Sequence, residues 1–410
     1  MMLTVSHGSS SAKNLALLGA LCLFLSAVEY MIPKPLPFLR IGLANLPLML
    51  ACNIFPLRAF LVLICIKISG QALITGTLFS YIFLFSMTGT FLSALLMFCL
   101  RRVFKNRISF IGIGTAGAVV SNMSQLSLAY IFIFGGNVRF IAPVFLASGF
   151  ITGIILGVFC EIFVRKSQWY YNLKLYNGEN IEEKFIKDEK FSEDNYTADN
   201  LKERKDAALK ITQKGTANFY YNSISTNALF IAGFFIIPAL VFNPSAEYRV
   251  IQFLFFMLLA FLCGKRINLL VTFFVTLFII VFNLIIPYGQ VLFTAGVLKI
   301  TKGALEAGIH RAFTLQALIM LSKVTIRENL KLPGSFGQLL SRSLLIFSSL
   351  MNKKIRLTKG NFISGIDNLI INLNYEKTEL SQSPDVRTRP LGYIVLIIII
   401  FLSWLPWLFI

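Results

Sequence analysis

Residues 391–410 read LGYIVLIIII FLSWLPWLFI, twenty consecutive positions without a charged side chain. Wound as a helix at about 1.5 Å per residue, they reach about 30 Å, the thickness of a bilayer's hydrocarbon core. This stretch predicts a membrane-spanning helix, and the rest of the chain repeats the pattern. Moving toward the N-terminus, apolar runs recur at 304–322, 267–287, 248–263 and 226–242, the first of these opening on the polar set Glu306, His310 and Arg311. Six more lie at 14–32, 36–55, 57–77, 79–100, 108–134 and 138–163. The expected fold is therefore all-α: a polytopic integral membrane protein of about eleven transmembrane helices.

Composition agrees. Hydrophobic residues make up 56% of the 410 and charged residues 14%, about half the charge of an ordinary soluble domain. The net charge of +19 does not point to nucleic acid, because Lys and Arg left in cytoplasmic loops bias a membrane protein positive. The six cysteines lie in apolar segments without a CxxC pair or metal-ligand spacing, and are expected as small buried hydrophobes. No metal site and no cofactor is expected. The first apolar run lacks a convincing small-residue cleavage site and is read as a spanning helix.

Charge placement orients the helices. With the N-terminus in the cytoplasm, Arg101, Arg102, Lys105 and Arg107 fall inside, as do Arg165, Lys166 and the polar stretch 164–222. The reverse orientation fails the positive-inside rule at both places. The stretch 164–222 mixes both signs, as in Glu182 to Lys190, and has little apolar periodicity. It is expected as a cytoplasmic linker between two membrane bundles, 1–163 and 223–410. Within the second, 324–389 returns to the cytoplasm and holds an amphipathic run, 336–351, suited to a membrane surface or a partner. The expected location is a bacterial inner membrane, multi-pass, in contact with lipid.

Ionisable groups inside spans are costly and mark function. Lys67 lies about ten residues into the third span, hence about 15 Å deep, and Gln71 and Thr75 follow at i+4 and i+8 on one stripe. Asn45 falls at a similar depth in the second span, Asn122 and Gln125 share a face of the fifth, and Glu29 sits in the outer part of the first. Glu29, Asn45, Lys67, Gln71, Asn122 and Gln125 are therefore the candidate binding residues for a small-molecule substrate in an outward-opening cavity. The bland alternative is that the lysine pairs structurally and the amides bridge helices. Small residues recur every fourth position: Ala12, Ala16 and Ala20; Gly149, Gly153 and Gly157; Gly114 and Ala118. Such stripes let helix backbones approach closely. The alanine stripe offers a docking face to a partner helix, the glycine stripe packing within the bundle. The segment Pro33-Lys34-Pro35-Leu36-Pro37 is expected as a stiff non-helical outer loop.

These residues together resemble a known pattern. Glu29 with the Pro33–Pro37 loop, Gly42-Leu43-Ala44-Asn45, Gly76-Thr77-Leu78-Phe79-Ser80, Gly112 to Ala118 with Asn122 and Gln125, and Gly149 with Thr152-Gly153 follow it in order. The pattern is similar to the Gx transporter family, often labelled heptaprenyl diphosphate synthase component I, over about 20–160. That family resembles the substrate-binding (S) components of energy-coupling factor transporters, six-helix proteins that capture small molecules. Lys67 departs from the pattern, which leads one to expect Arg; the charge survives without the guanidinium fork. The second half more weakly resembles the transmembrane (T) component of those transporters, through Ile300-Thr301-Lys302-Gly303 and Leu332-Pro333 before an amphipathic helix. The resemblance implies an Ala-Arg-Gly-type motif that docks on an ATPase; Ser341-Arg342-Ser343 is the nearest counterpart, so Arg342 joins the alanine stripe as a candidate partner contact.

Two function classes follow. One is a transporter component that captures a small molecule from outside. The chain contains no GxxxxGK[ST] loop, so separate ATPase subunits would supply the energy. The other is an accessory membrane subunit of isoprenoid, quinone or redox metabolism. Catalysis of prenyl diphosphate synthesis is not expected, since no DDxxD is present to hold Mg²⁺ on a diphosphate. With only His7 and His310, haem binding has no support.

Overall fold

A computed structural model describes residues 5–31, 42–171, 220, 223–265, 267–295, 298–327, 334–352 and 388–408. The Pro33–Pro37 loop, most of the linker (172–219) and the stretch 353–387 lie outside the described residues. Twelve α-helices carry the described chain: α1 (Val5–Met31), α2 (Leu46–Ala51), α3 (Leu57–Thr75), α4 (Tyr81–Phe104), α5 (Phe110–Ala129), α6 (Val138–Lys166), α7 (Thr226–Val241), α8 (Ala246–Leu262), α9 (Leu269–Asn283), α10 (Lys302–Thr325), α11 (Gly334–Asn352) and α12 (Pro390–Trp404).

The helix ends follow local chemistry. Ser109, Ser225 and Asn268 each cap a helix, their side-chain oxygens accepting from Gly112 N, Ala228 N and Val271 N. Pro47 and Pro390 sit in the first turns of α2 and α12, where the missing N–H costs nothing.

Five helical segments are long and apolar enough to cross a membrane: 12–30, 57–75, 81–104, 110–166 and 390–407. The fourth folds back on itself. After α5 the chain passes through a π turn, Tyr130–Phe134, and a 3₁₀ turn, Gly135–Asn137, before α6 begins. The run expected as a span at 36–55 differs: its described part is a 3₁₀ turn, Leu43–Asn45, and the six-residue α2, about 9 Å of helix. Gly42 enters that turn with φ 90°, and Asn53 to Pro56 end the helix, so apolar composition without helical continuity misled the reading. A second departure from the all-helical expectation is an antiparallel hairpin, β1 (Val291–Ala295) with β2 (Leu298–Thr301), paired Phe293 to Ile300. Cys22, Cys52, Cys160 and Cys263 are buried as expected, but Cys65 and Cys99 lie on exposed helix faces.

α10 is the axis of the second half, packed by α7, α8 and α9, with α12 against α7. Much of its surface meets protein, from Ala304 and Gly308 through Ala312 to Val324. That enclosure explains its modest hydropathy: a helix shielded by its neighbours needs no lipid-facing stripe. In the first half, α4, α5 and α6 form an antiparallel set, and α3 joins α4 and α1.

The two halves meet end to side. The α3–α4 turn and the α5–α6 turn lie at one end of the front helices, and Tyr81 and Phe132 stack there at 4.6 Å. Phe79 N donates to Ser322 Oγ at 3.3 Å, and Gly135 lies against the Arg311 guanidinium. Ser322 and Arg311 are eleven positions apart on α10, about 17 Å. The front helices thus abut the flank of α10 with one end, crosswise.

Candidate functional site

Glu29, Asn45, Lys67 and Asn122 come together in a buried cavity inside the front helices. Thr90, Ser121 and Thr152 add hydroxyls to its wall, and Met49, Met97 and Leu156 add apolar surface. Lys67, 2% exposed on α3, donates from Nζ to Asn45 Oδ1. The 3₁₀ turn that carries Asn45 is held from α1: Gly42 N donates to Glu29 Oε2 at 3.2 Å. One ammonium and one carboxylate therefore border one small polar space. That space is about 30 Å³, room for roughly two water molecules. In this state the polar groups largely satisfy one another.

Asn122 is placed by the glycine stripe. Its Nδ2 donates to Phe145 O at 2.7 Å across the α5–α6 contact. A Cβ on Gly149 would run into that amide, one on Gly153 would lie 2.7 Å from Thr115 Cα, and one on Gly157 would meet the backbone of Phe110 and Ile111. Only bare backbone on α6 lets α5 come so close.

Gln71 and Gln125 do not line the cavity. Gln71 accepts from Ser86 Oγ at 3.5 Å on the α3–α4 side. Gln125 is buried, donating to Ser121 Oγ at 3.0 Å, while its Oε1 has no hydrogen-bond partner. Period-3.6 reasoning put these amides on the right helices but could not say which flank of each helix the cavity occupies.

The alanine stripe is covered from within the chain. Ala16 and Ala20 are fully buried and Ala12 is half-buried. The amphipathic α11 packs on α1 and α3, and a Cβ on Gly19 would lie 2.8 Å from both Ser343 Oγ and Ile66 Cγ2. Arg342, next to the buried Ser343, is half-exposed.

Two polar clusters were missed by sequence reasoning. Arg249, 3% exposed on α8, donates to Val241 O, Asn243 O and Thr314 Oγ1, so it closes the open end of α7 and ties it to α10. Among the described residues no carboxylate pairs with it. Asn283 Nδ2 donates to Ile133 O, Asn137 Nδ2 to Phe282 O, and Arg311 Nη1 to Asn283 Oδ1 at 2.7 Å, forming a seam between the halves. The available signal was a polar residue interrupting an apolar run, Arg249 in 248–263 and Asn283 in 267–287.

A helical membrane protein with a small polar cavity enclosed by its front helices is thus defined. Residues 18–163 match the family model described as heptaprenyl diphosphate synthase component I, the family that the motifs of this region resemble. Residues 226–328 match a further family model, a domain of unknown function designated DUF8519. No curated protein and no solved structure matches the chain.

Proposed function

We propose that the chain is a membrane transporter component that captures a small molecule from outside, with energy from separate ATPase subunits. In this reading, 1–163 is an S-like domain, 164–222 a cytoplasmic linker and 223–410 a T-like scaffold with its cytoplasmic segment at 324–389. The N-terminus lies in the cytoplasm of a bacterial cell and the long apolar helices cross its membrane. The observation that carries the reading is the buried Lys67–Asn45 pair beside Glu29 and Asn122 in one cavity. A buried ammonium with amides around it suits an anionic group on a small solute. Gln71 and Gln125 act in this reading as supports behind the cavity wall.

The crosswise meeting of the halves supports a hand-over by rotation. The charge pattern favours front helices that run across the membrane, whereas α10 along the membrane normal would leave them lying over. Both conditions are met if the front helices turn about the α1–α11 contact between loading and release. The small cavity corresponds in this reading to the released state. Ala12, Ala16, Ala20 and Arg342 belong to the docking region that transmits the turn.

The description of the matched family favours a second reading, a membrane accessory subunit of heptaprenyl diphosphate synthesis. Native mass spectrometry of the protein drawn from its own membrane separates the two. A co-purifying small molecule lost in Lys67→Met, together with ATPase subunits, supports transport. A prenyltransferase partner, with wild-type and Lys67→Met spectra alike, supports the accessory role and removes the transport proposal.

A further inference from the structure

We propose that the end of the front helices remote from α10 carries a second site, which binds a phosphate or diphosphate head group. The α2–α3 connection, Cys52 to Pro56, and the end of α4, Arg101 to Lys105, enclose an open concavity of about 390 Å³. This falls in the range of about 300–1,000 Å³ found for small-molecule sites. Its charged lining is Arg101, Arg102 and Lys105, with no Asp or Glu. Among the described residues no ion pair neutralises any of the three.

The cations are built in to different degrees. Arg101 is fixed: Nε donates to Asn53 Oδ1, Nη1 donates to Ile108 O at 3.0 Å, and the guanidinium lies 5.1 Å over the Phe110 ring. Asn53 is held in turn by donating to Tyr170 Oη at 3.1 Å. Three further N–H groups of Arg101 stay available, since a guanidinium has five. Arg102 sits 5.2 Å over the Phe98 ring, and Lys105 is exposed.

Basic residues at a helix's inner end are ordinary markers of topology. Two observations go further. Lys105 has φ 48° and ψ −121°, the only positive φ at a non-glycine among the described residues. Strain held at a charged concavity is a mark of ligand clamps, where glycine would otherwise be the easier choice. Val103 and Phe104, between the cations, are 71% and 48% exposed. Apolar surface interleaved with a convergent triple charge matches an amphiphile with an anionic head, and guanidinium forks suit phosphate oxygens.

The test uses the full chain and two probes. Phosphatidate retention is read by native mass spectrometry from phosphatidylcholine nanodiscs with and without phosphatidate, and inorganic pyrophosphate binding by calorimetry in neutral detergent. The variants are Arg102→Gln, Lys105→Gly and their combination; Lys105→Gly removes a charge and relieves the strained φ, so its melting temperature stays equal or rises. Each lost cation is expected to weaken binding roughly tenfold at low salt. Preferential retention of phosphatidate assigns the site to a membrane lipid, and pyrophosphate binding without lipid preference assigns it to a soluble phosphate. Either result supports the site. If neither probe binds, or if Lys105→Gly binds like wild type, the inference is overturned.

Discussion

Gly149→Ala is expected to change sign with its background. In the wild type the new methyl would fall on the Asn122 amide, with Asn122 Cγ at 2.9 Å and Ala118 O at 3.5 Å. Asn122 must then leave Phe145 O inside a packed interior. Overfilling costs about 1–3 kcal/mol, and stranding the buried Asn122 amide about 1–3 more. Replacing a helical glycine by alanine returns about 1 kcal/mol. The net expectation is a loss of about 1–5 kcal/mol. In an Asn122→Ala background that obstruction is gone, and the next contact, to Ala118 O at 3.5 Å, is an ordinary one. Phe145 O still accepts from Ser148 Oγ at 2.8 Å. Gly149→Ala should then be neutral or stabilising by up to about 1 kcal/mol. Thermal unfolding of the four proteins in one detergent, followed by tryptophan fluorescence, reads the cycle. Gly157→Ala is the control, because its obstruction is backbone, with Phe110 O at 2.8 Å, and Asn122→Ala cannot relieve it. Additive effects of Gly149→Ala and Asn122→Ala would refute the claim that the glycine exists to seat the asparagine.

Two further outcomes are expected beside those already given for Lys67 and for the basic concavity. Gly19→Val should push α11 off α1, because Ser343 Oγ and Ile66 Cγ2 both stand 2.8 Å from the first added carbon; limited proteolysis would show α11 newly cleavable, and unchanged protection would count against the contact. Arg249→Met should destabilise the second half by about 1–3 kcal/mol for each carbonyl left without a donor, with Val241 O the most exposed to loss since Asn243 O keeps His310 Nε2 at 3.2 Å; an unchanged unfolding temperature would show that the arginine's own desolvation had cancelled its hydrogen bonds.

Sequence carried some levels of the structure better than others. Long apolar runs such as 57–75 and 390–407 are helices because nothing within them competes for the backbone. Apolar composition says less about continuity, and 36–55 shows why: a left-handed Gly42 and the Asn53–Pro56 break leave α2 only six residues long. The hairpin at 291–301 sits between the apolar runs 267–287 and 304–322, in a stretch too short to set off its own alternation from theirs. Within the candidate site, depth along a helix could be counted, which brought Asn45 and Lys67 to one level. Azimuth could not, because it depends on which neighbours flank each helix, and Gln71 therefore faces Ser86 across α4 instead of the cavity. The alanine stripe is read from sequence as a docking face for a partner helix, whereas the helix that packs on α1 is α11 of the same chain, more than three hundred residues away in sequence.

The polar seam between the halves sets what a rotation of the front helices must overcome. At one place Asn283, Asn137 and Arg311 bond across the α5–α6 turn, and at another Phe79 N donates to Ser322 Oγ. Where the seam is buried, each such bond, once broken, leaves groups that water does not reach, so each costs more than its net value at an exposed interface. The α1–α11 contact has a different character: α1 is lined there by small residues, with Ala16 and Ala20 fully buried and Ser343 of α11 close against Gly19. A smooth surface of small residues permits rolling with little change in contact energy, whereas a hydrogen-bonded seam resists sliding until it breaks as a unit. A rotation would therefore pivot on α1 and α11 and release at Asn283. Asn283→Leu, which removes the seam's central donor and acceptor without emptying its volume, should loosen the front helices from α10 while leaving α11 docked. A cross-link between cysteines introduced at Gly136 and Ile286, neighbours across that seam, where a Cβ added to Gly136 would lie 3.8 Å from Ile286 Cδ1, should fall in yield in that variant. An undiminished yield would mean that apolar packing, and not the polar seam, holds the halves together.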